Sequence, residues 1–135
     1  MKTIKIQTKK ETELLDITKD VREFVKEIKS GICVIFTKHT TTGIIINENE
    51  TGLKSDILNL LNEVVQSRSG YQHDRIDNNA RAHLRSILLG CSVTVPIENG
   101  NIALGTWQSI FLVECDGPRN REVYIKILEE LKDCH

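Results

Sequence analysis

Residues 32–46 read ICVIFTKHTTTGIII, and the fold turns on that stretch. Two β-branched, apolar runs, 32–36 and 41–46, flank the polar insert Thr37-Lys38-His39-Thr40. Each run is too short for a buried helix and rich in residues that pack well on a pleated surface. Two core strands joined by a polar connection result, with His39 in the joint. Asn47, Glu48 and Asn49 follow at the strand end, where side chains enter a site or cap the next helix.

Working outward, residues 51–65 carry an apolar stripe at helical spacing: Leu53, Ile57, Leu58, Leu61, Val64 and Val65. A polar stretch, SRSGYQHDRIDNN, leads into a second helix over about 79–89, stopped by Gly90. Its apolar stripe is Leu84, Ile87 and Leu88, which sets His83 at the border of the buried side. Upstream, Ile4 and Ile6 alternate with Lys5 and Gln7 as an edge-like strand, with residues 14–17 as its hairpin partner across a KKET turn. Thr18 reads as the N-cap of a further helix carrying Val21, Phe24, Val25 and Ile28.

Downstream the pattern is β again. Strands 92–97 and 102–104 are joined through Asn99-Gly100, a strong hairpin signal. Ile110, Leu112 and Glu114 alternate with Phe111, Val113 and Cys115. The turn Asp116-Gly117-Pro118-Arg119 then leads to a last strand over 123–127. About eight strands and three helices give an α+β chain, its strands packed as a sandwich or strongly bent sheet within one domain, 1–135.

The composition closes several function classes. The chain has 135 residues, 39% of them hydrophobic and 27% charged, which excludes disorder and suits one domain. Eighteen basic residues against nineteen acidic ones are interspersed, without the basic stripe of a nucleic-acid binder. No run approaches the roughly 20 apolar residues of a membrane span. The start MKTIKIQTKK lacks the apolar block of a signal peptide. Cys33, Cys91, Cys115 and Cys134 form no C-x-x-C pair and read as thiols of a cytoplasmic, reducing compartment.

Three histidines sit in polar, element-end positions: His39, His73 and His83. His135 is the last residue of the sequence. Imidazole titrates near neutral pH and is the commonest protein metal ligand, and three of them plus a water form a known catalytic zinc arrangement. Each taken alone serves packing as readily as ligation. Asn79 and His83 are spaced i, i+4, on one helix face. Arg119 offers the planar fork that suits phosphate, and Asp116 opens its turn. Trp107, the chain's only tryptophan, reads first as a core anchor and second as a substrate-stacking residue.

The blocks KHTTTGIIINENE, YQHD…NNARAHLRSILLGCSVTVPIENG and LGTWQSIFLVECDGPRNREV, taken in order, resemble the YjbQ family along nearly the whole chain. The resemblance implies a compact α+β sandwich assembled as a homotrimer, and a secondary thiamine-phosphate synthase activity on small phosphorylated molecules. It also implies a pocket built from His39, His73 and His83 that holds a divalent metal ion (zinc or magnesium) or a phosphate. Asn47, Asn79, Trp107, Asp116 and Arg119 would meet the substrate. In that reaction a thiazole nitrogen displaces pyrophosphate from a hydroxymethylpyrimidine, so the site must stabilise charge on the departing diphosphate. A metal-assisted phosphoester hydrolase and a binding module without turnover are the competing expectations.

Overall fold

The computed structural model describes residues 1–131; Cys134 and His135 lie outside them. Its strands are β1 (Lys2–Gln7), β2 (Glu13–Asp16), β3 (Ser30–Thr37), β4 (Thr42–Asn47), β5 (Ser92–Glu98), β6 (Asn101–Ile102), β7 (Ser109–Glu114) and β8 (Asn120–Glu129). The helices are α1 (Thr18–Val25), α2 (Thr51–Val64) and α3 (Ala80–Leu89), and a 3-10 turn spans Gln72–Arg75. The five-stranded sheet runs β1-β8-β3-β5-β6 and the three-stranded one β2-β7-β4. Every pairing is antiparallel.

The stretch that decides the fold is the crossing between the two sheets. β3 pairs with β5 and β8, whereas β4 pairs with β7. Alternation then aims Cys33 and Ile35 inward from one sheet and Ile44, Ile110 and Leu112 from the other. They meet in a core shared with Val95, Ile97, Val123, Ile125 and the α1 residues Val21 and Val25. Helices α2 and α3 cover the other face of the three-stranded sheet, where Leu61, Ala82, Val113 and Cys115 form a second cluster. β7 is therefore buried on both faces, which accounts for its unbroken apolar run.

Three local expectations change. β1 and β2 are not a hairpin: β1 pairs with β8 and β2 with β7. The intervening turn is closed by Glu13, whose carboxylate accepts the N–H groups of Lys9 and Lys10, and it carries the chain from one sheet to the other. Thr18 is not the cap of α1; Asp16 accepts its N–H at 2.9 Å, and the Thr18 hydroxyl accepts the Ile110 N–H. The cap of α2 is Glu50, which takes the N–H groups of Gly52 and Leu53. The Asn99-Gly100 hairpin is as expected, both residues at positive φ (51° and 77°).

The largest difference is the facing of α3. Its buried residues are Ala80, Ala82 and Arg85, while Leu84, Ile87 and Leu88 are exposed. The helix rides so close to β4 that a Cβ on Gly43 would lie 2.5 Å from the Leu89 Cβ. Ser86 Oγ donates to the Thr42 carbonyl across the same contact. Only small side chains fit that seam. Arg85 extends beneath the helix and donates to the Val65 carbonyl, at the negative end of the α2 dipole. No helix among the described residues is long and apolar enough to cross a membrane.

Candidate functional site

His39 sits in the β3–β4 crossing, and its Nε2 accepts the main-chain N–H of Glu122 at 3.0 Å. A nitrogen that accepts carries no proton, so the neutral ring holds its hydrogen on Nδ1. Partial burial lowers the His39 pKa, and the nearby Arg121 charge lowers it further; Glu114 and Glu122 pull the other way. His39 is thus held as a neutral hydrogen-bond donor rather than a cation. Beside it, the Lys38 ammonium lies 4.3 Å from the centre of the Tyr124 ring.

Behind His39 lies a buried ion pair. Arg121 grips Glu114 with two hydrogen bonds, Nε to Oε1 at 2.8 Å and Nη2 to Oε2 at 2.6 Å. Thr8 donates to the same carboxylate, and Arg121 also donates to the Thr41 hydroxyl. Burial acts to raise the Glu114 pKa. The hydrogen bonds from Arg121, Thr8 and the Asp116 N–H outweigh it and hold the carboxyl below its ordinary range. The sequence put Glu114 on one strand face with Ile110 and Leu112 without marking it as a site residue. Its partner Arg121 and the threonines were not foreseen, since nothing local joins positions 8, 41, 114 and 121.

His73 and His83 meet as well. The 3-10 turn and α3 bring their rings to 4.6 Å between centroids at 77°, an edge-to-face contact. His73 Nε2 is buried without a hydrogen-bond partner, and the nearest carboxylate, Asp77, is 3.9 Å away. His39 and His83 line one cavity of about 470 Å³, together with Thr40, Ser86 and the exposed thiol of Cys91. His73 and His83 line an adjoining hollow of about 340 Å³ with Tyr71 and Leu84. His83 is the shared wall. Cys91, in the apolar context GCSVTV where a buried residue would be expected, is an exposed rim residue of this cavity instead.

The polar candidates divide. Asn79, Asp116 and Arg119 come together: Asn79 donates to Asp116 at 2.9 Å, and Arg119 donates to the same carboxylate oxygen at 3.0 Å. Arg119 also spends its Nε on the Asp116 carbonyl, so its fork is turned back on its own turn and not toward the histidines. Asn47 pairs with Ser109 at the far end of β4, roughly 16 Å along the strand from Thr42. Trp107 is 73% exposed in the turn before β7, so it anchors no core. Within one chain neither residue reaches the histidine cavities.

A three-imidazole metal centre does not fit these residues. Among the described residues no group of three or more His, Cys, Asp or Glu side chains converges as a metal would require. His39 commits its unprotonated nitrogen to Glu122, and only His73 and His83 stand side by side. What the arrangement offers is the neutral imidazole of His39 on one wall of a cavity and the His83 imidazole on another, with His73 against His83 in the adjoining hollow.

Comparison with known proteins agrees with this fold. A protein from Archaeoglobus fulgidus described as a UPF0047 protein is 50% identical over 123 residues, covering 91% of this chain and 97% of its own length. The UPF0047 protein YugU of Bacillus subtilis is 42% identical over 134 residues, covering 95% and 98%. Among solved structures, a YbjQ-like protein of unknown function from Sulfolobus solfataricus superposes with a TM-score of 0.92 at 43% identity, covering 96% of each chain. One from Clostridium acetobutylicum, an uncharacterised conserved protein of the same family, gives 0.90 at 39%, covering 95% of this chain and all of the other. The model of the family described as UPF0047 protein YjbQ-like matches residues 2–130, and the chain with the two-sheet sandwich and paired histidine hollows belongs to that family.

Proposed function

We propose that this protein is a cytoplasmic small-molecule enzyme working on a phosphorylated substrate in the cavity between His39 and His83. The observation that carries the reading is the shared cavity itself, in which residues 44 positions apart line one hollow. His39, kept neutral, directs its Nδ1–H as a donor where negative charge develops. His83, walling both hollows, supplies or takes a proton. The finer reading is displacement of pyrophosphate from a hydroxymethylpyrimidine diphosphate by a thiazole phosphate, and its support is the resemblance stated from the sequence. The free thiols Cys33, Cys91 and Cys115 agree with a reducing compartment.

The homotrimer belongs to the proposal too. A single chain leaves the α3 stripe of Leu84, Ile87 and Leu88 in solvent, and among the described residues no helix covers the outer face of the five-stranded sheet at the exposed Ile32. A second subunit laid on these surfaces would bring new residues near the histidine cavity, since Ile87 lines it.

The test is pyrophosphate release with and without the thiazole acceptor, in the wild type and in His83→Ala. Acceptor-dependent release that disappears in His83→Ala with the melting temperature nearly unchanged is the expected result. Release in water alone turns the assignment to a hydrolase. Stoichiometric phosphate binding without turnover on a broad panel turns it to a binding module.

A further inference from the structure

The anion-binding role expected of Arg119 has no fork left to carry it, yet the molecule has a stronger candidate nearby. The segment between α2 and α3 surrounds a bowl of about 630 Å³ lined by Arg68, Arg75 and Arg81 together with Ser67 and Ser69. The Arg68 guanidinium carbon lies over the Tyr71 ring, 4.5 Å from its centre, a cation–π contact that restrains one guanidinium in place. Tyr71 is itself held by a hydrogen bond to the Gln66 carbonyl at 2.8 Å. Among the described residues Arg68 and Arg75 form no ion pair; Arg81 is joined to Glu11 at 2.6 Å. The one carboxylate lining the bowl, Asp74, turns an oxygen to the Ala80 N–H at the start of α3. Three guanidinium groups against the carboxylates of Asp74 and Glu11 leave the hollow net positive, with Arg68 and Arg75 unpaired among the described residues, a field that attracts anions.

Its position gives the site a purpose. Tyr71 lines both the bowl and the His73–His83 hollow, and His83 lines both that hollow and the His39 cavity. The three spaces follow one another along α3 and the loop before it. We infer that the Arg68–Arg75–Arg81 bowl binds the phosphate or diphosphate end of a small-molecule substrate whose reacting part extends to His83. This rests on the small-molecule reading of the histidine cavity and adds the anionic end of the ligand to it. Guanidinium groups match phosphate oxygens in geometry and retain their charge at any working pH. Serine hydroxyls at the rim supply neutral donors beside them.

The experiment is titration calorimetry with inorganic pyrophosphate on the wild type, Arg68→Gln/Arg75→Gln, Glu11→Gln and His83→Ala. Arg68, Arg75 and Glu11 are exposed, so these variants fold. The double arginine variant should bind pyrophosphate at least about tenfold more weakly, the effect of losing charged hydrogen bonds. Glu11→Gln frees Arg81 from its partner and should tighten binding, most visibly at low salt. His83→Ala should bind as the wild type does. No binding by the wild type, equal affinity in the double variant, or weaker binding in Glu11→Gln would each overturn the inference. Loss of binding in His83→Ala alone would overturn it as well, by moving the anion to the histidines. A single-stranded RNA that binds more tightly than pyrophosphate would replace the small molecule with a polymer. If His83→Ala keeps full turnover while the arginine variant loses pyrophosphate, the catalytic reading falls and the bowl stands.

Discussion

Removing Arg121 alone should cost this protein more than removing Arg121 and Glu114 together. Glu114 is fully buried and Arg121 is 5% exposed, and two short hydrogen bonds join them. Arg121→Leu leaves a carboxylate in the core with only the Thr8 hydroxyl and the Asp116 N–H to face it. An uncompensated buried charge of this kind costs about 3–5 kcal/mol. For a chain of this length that is roughly 10–20 °C in melting temperature. Glu114→Leu/Arg121→Leu removes both charges and leaves the Thr41 hydroxyl and the Asp116 N–H unpartnered, at about 1 kcal/mol each, while the Thr8 hydroxyl keeps the Arg119 carbonyl at 3.1 Å. Urea unfolding of the wild type, both single variants and the double variant closes a cycle, in which a coupling of about 3 kcal/mol is expected. Additivity of the single effects to within about 0.5 kcal/mol would refute the buried-pair argument. The same cycle has a pH signature. The folded pKa of Glu114 lies below its unfolded value, so the unfolded chain takes up the proton first. Its stabilisation is complete above the ordinary carboxylate range and is lost as the pH falls through the folded pKa. Acid unfolding should therefore flatten in the double variant.

His39 follows the same sign: its folded pKa is lowered, so its contribution is present above the ordinary imidazole range and lost on acidification. In Arg121→Met its proton NMR titration should move upward, because a neighbouring positive charge is gone. Gly43→Ala should destabilise the fold by about 1–3 kcal/mol in urea unfolding, since the new methyl would meet Leu89 Cβ at 2.5 Å and force α3 off β4. In a Cys134→Ser background, Ellman's reagent should titrate Cys91 in the native protein and leave Cys33 and Cys115 until denaturant is added. Burial pushes those two thiols up to about 11 and about 12, whereas Cys91 is exposed at the cavity rim.

What the residues specify locally was legible along the chain. The period-two runs of β3, β4 and β7, the helical spacing of α2, and the Asn99-Gly100 turn depend on neighbours a few positions apart, where side-chain alternation and backbone sterics act directly. That Glu114 shares a strand face with Ile110 and Leu112 was legible too, although not that this face looks into the shared core, since both faces of β7 are apolar. The tertiary structure decided whatever depends on which element covers which. β1 and β2 separated into different sheets because each pairs with a strand far along the chain, β1 with β8 and β2 with β7. The outward facing of Leu84, Ile87 and Leu88 came from the close seat of α3 over Gly43, where steric fit overruled the apolar stripe. The meeting of His39 with His83, the retreat of Arg119 onto Asp116, and the gathering of Arg68, Arg75 and Arg81 are likewise products of packing. Side chains distant in sequence share no local force, so only the folded backbone can bring them within reach of one another or hold them apart.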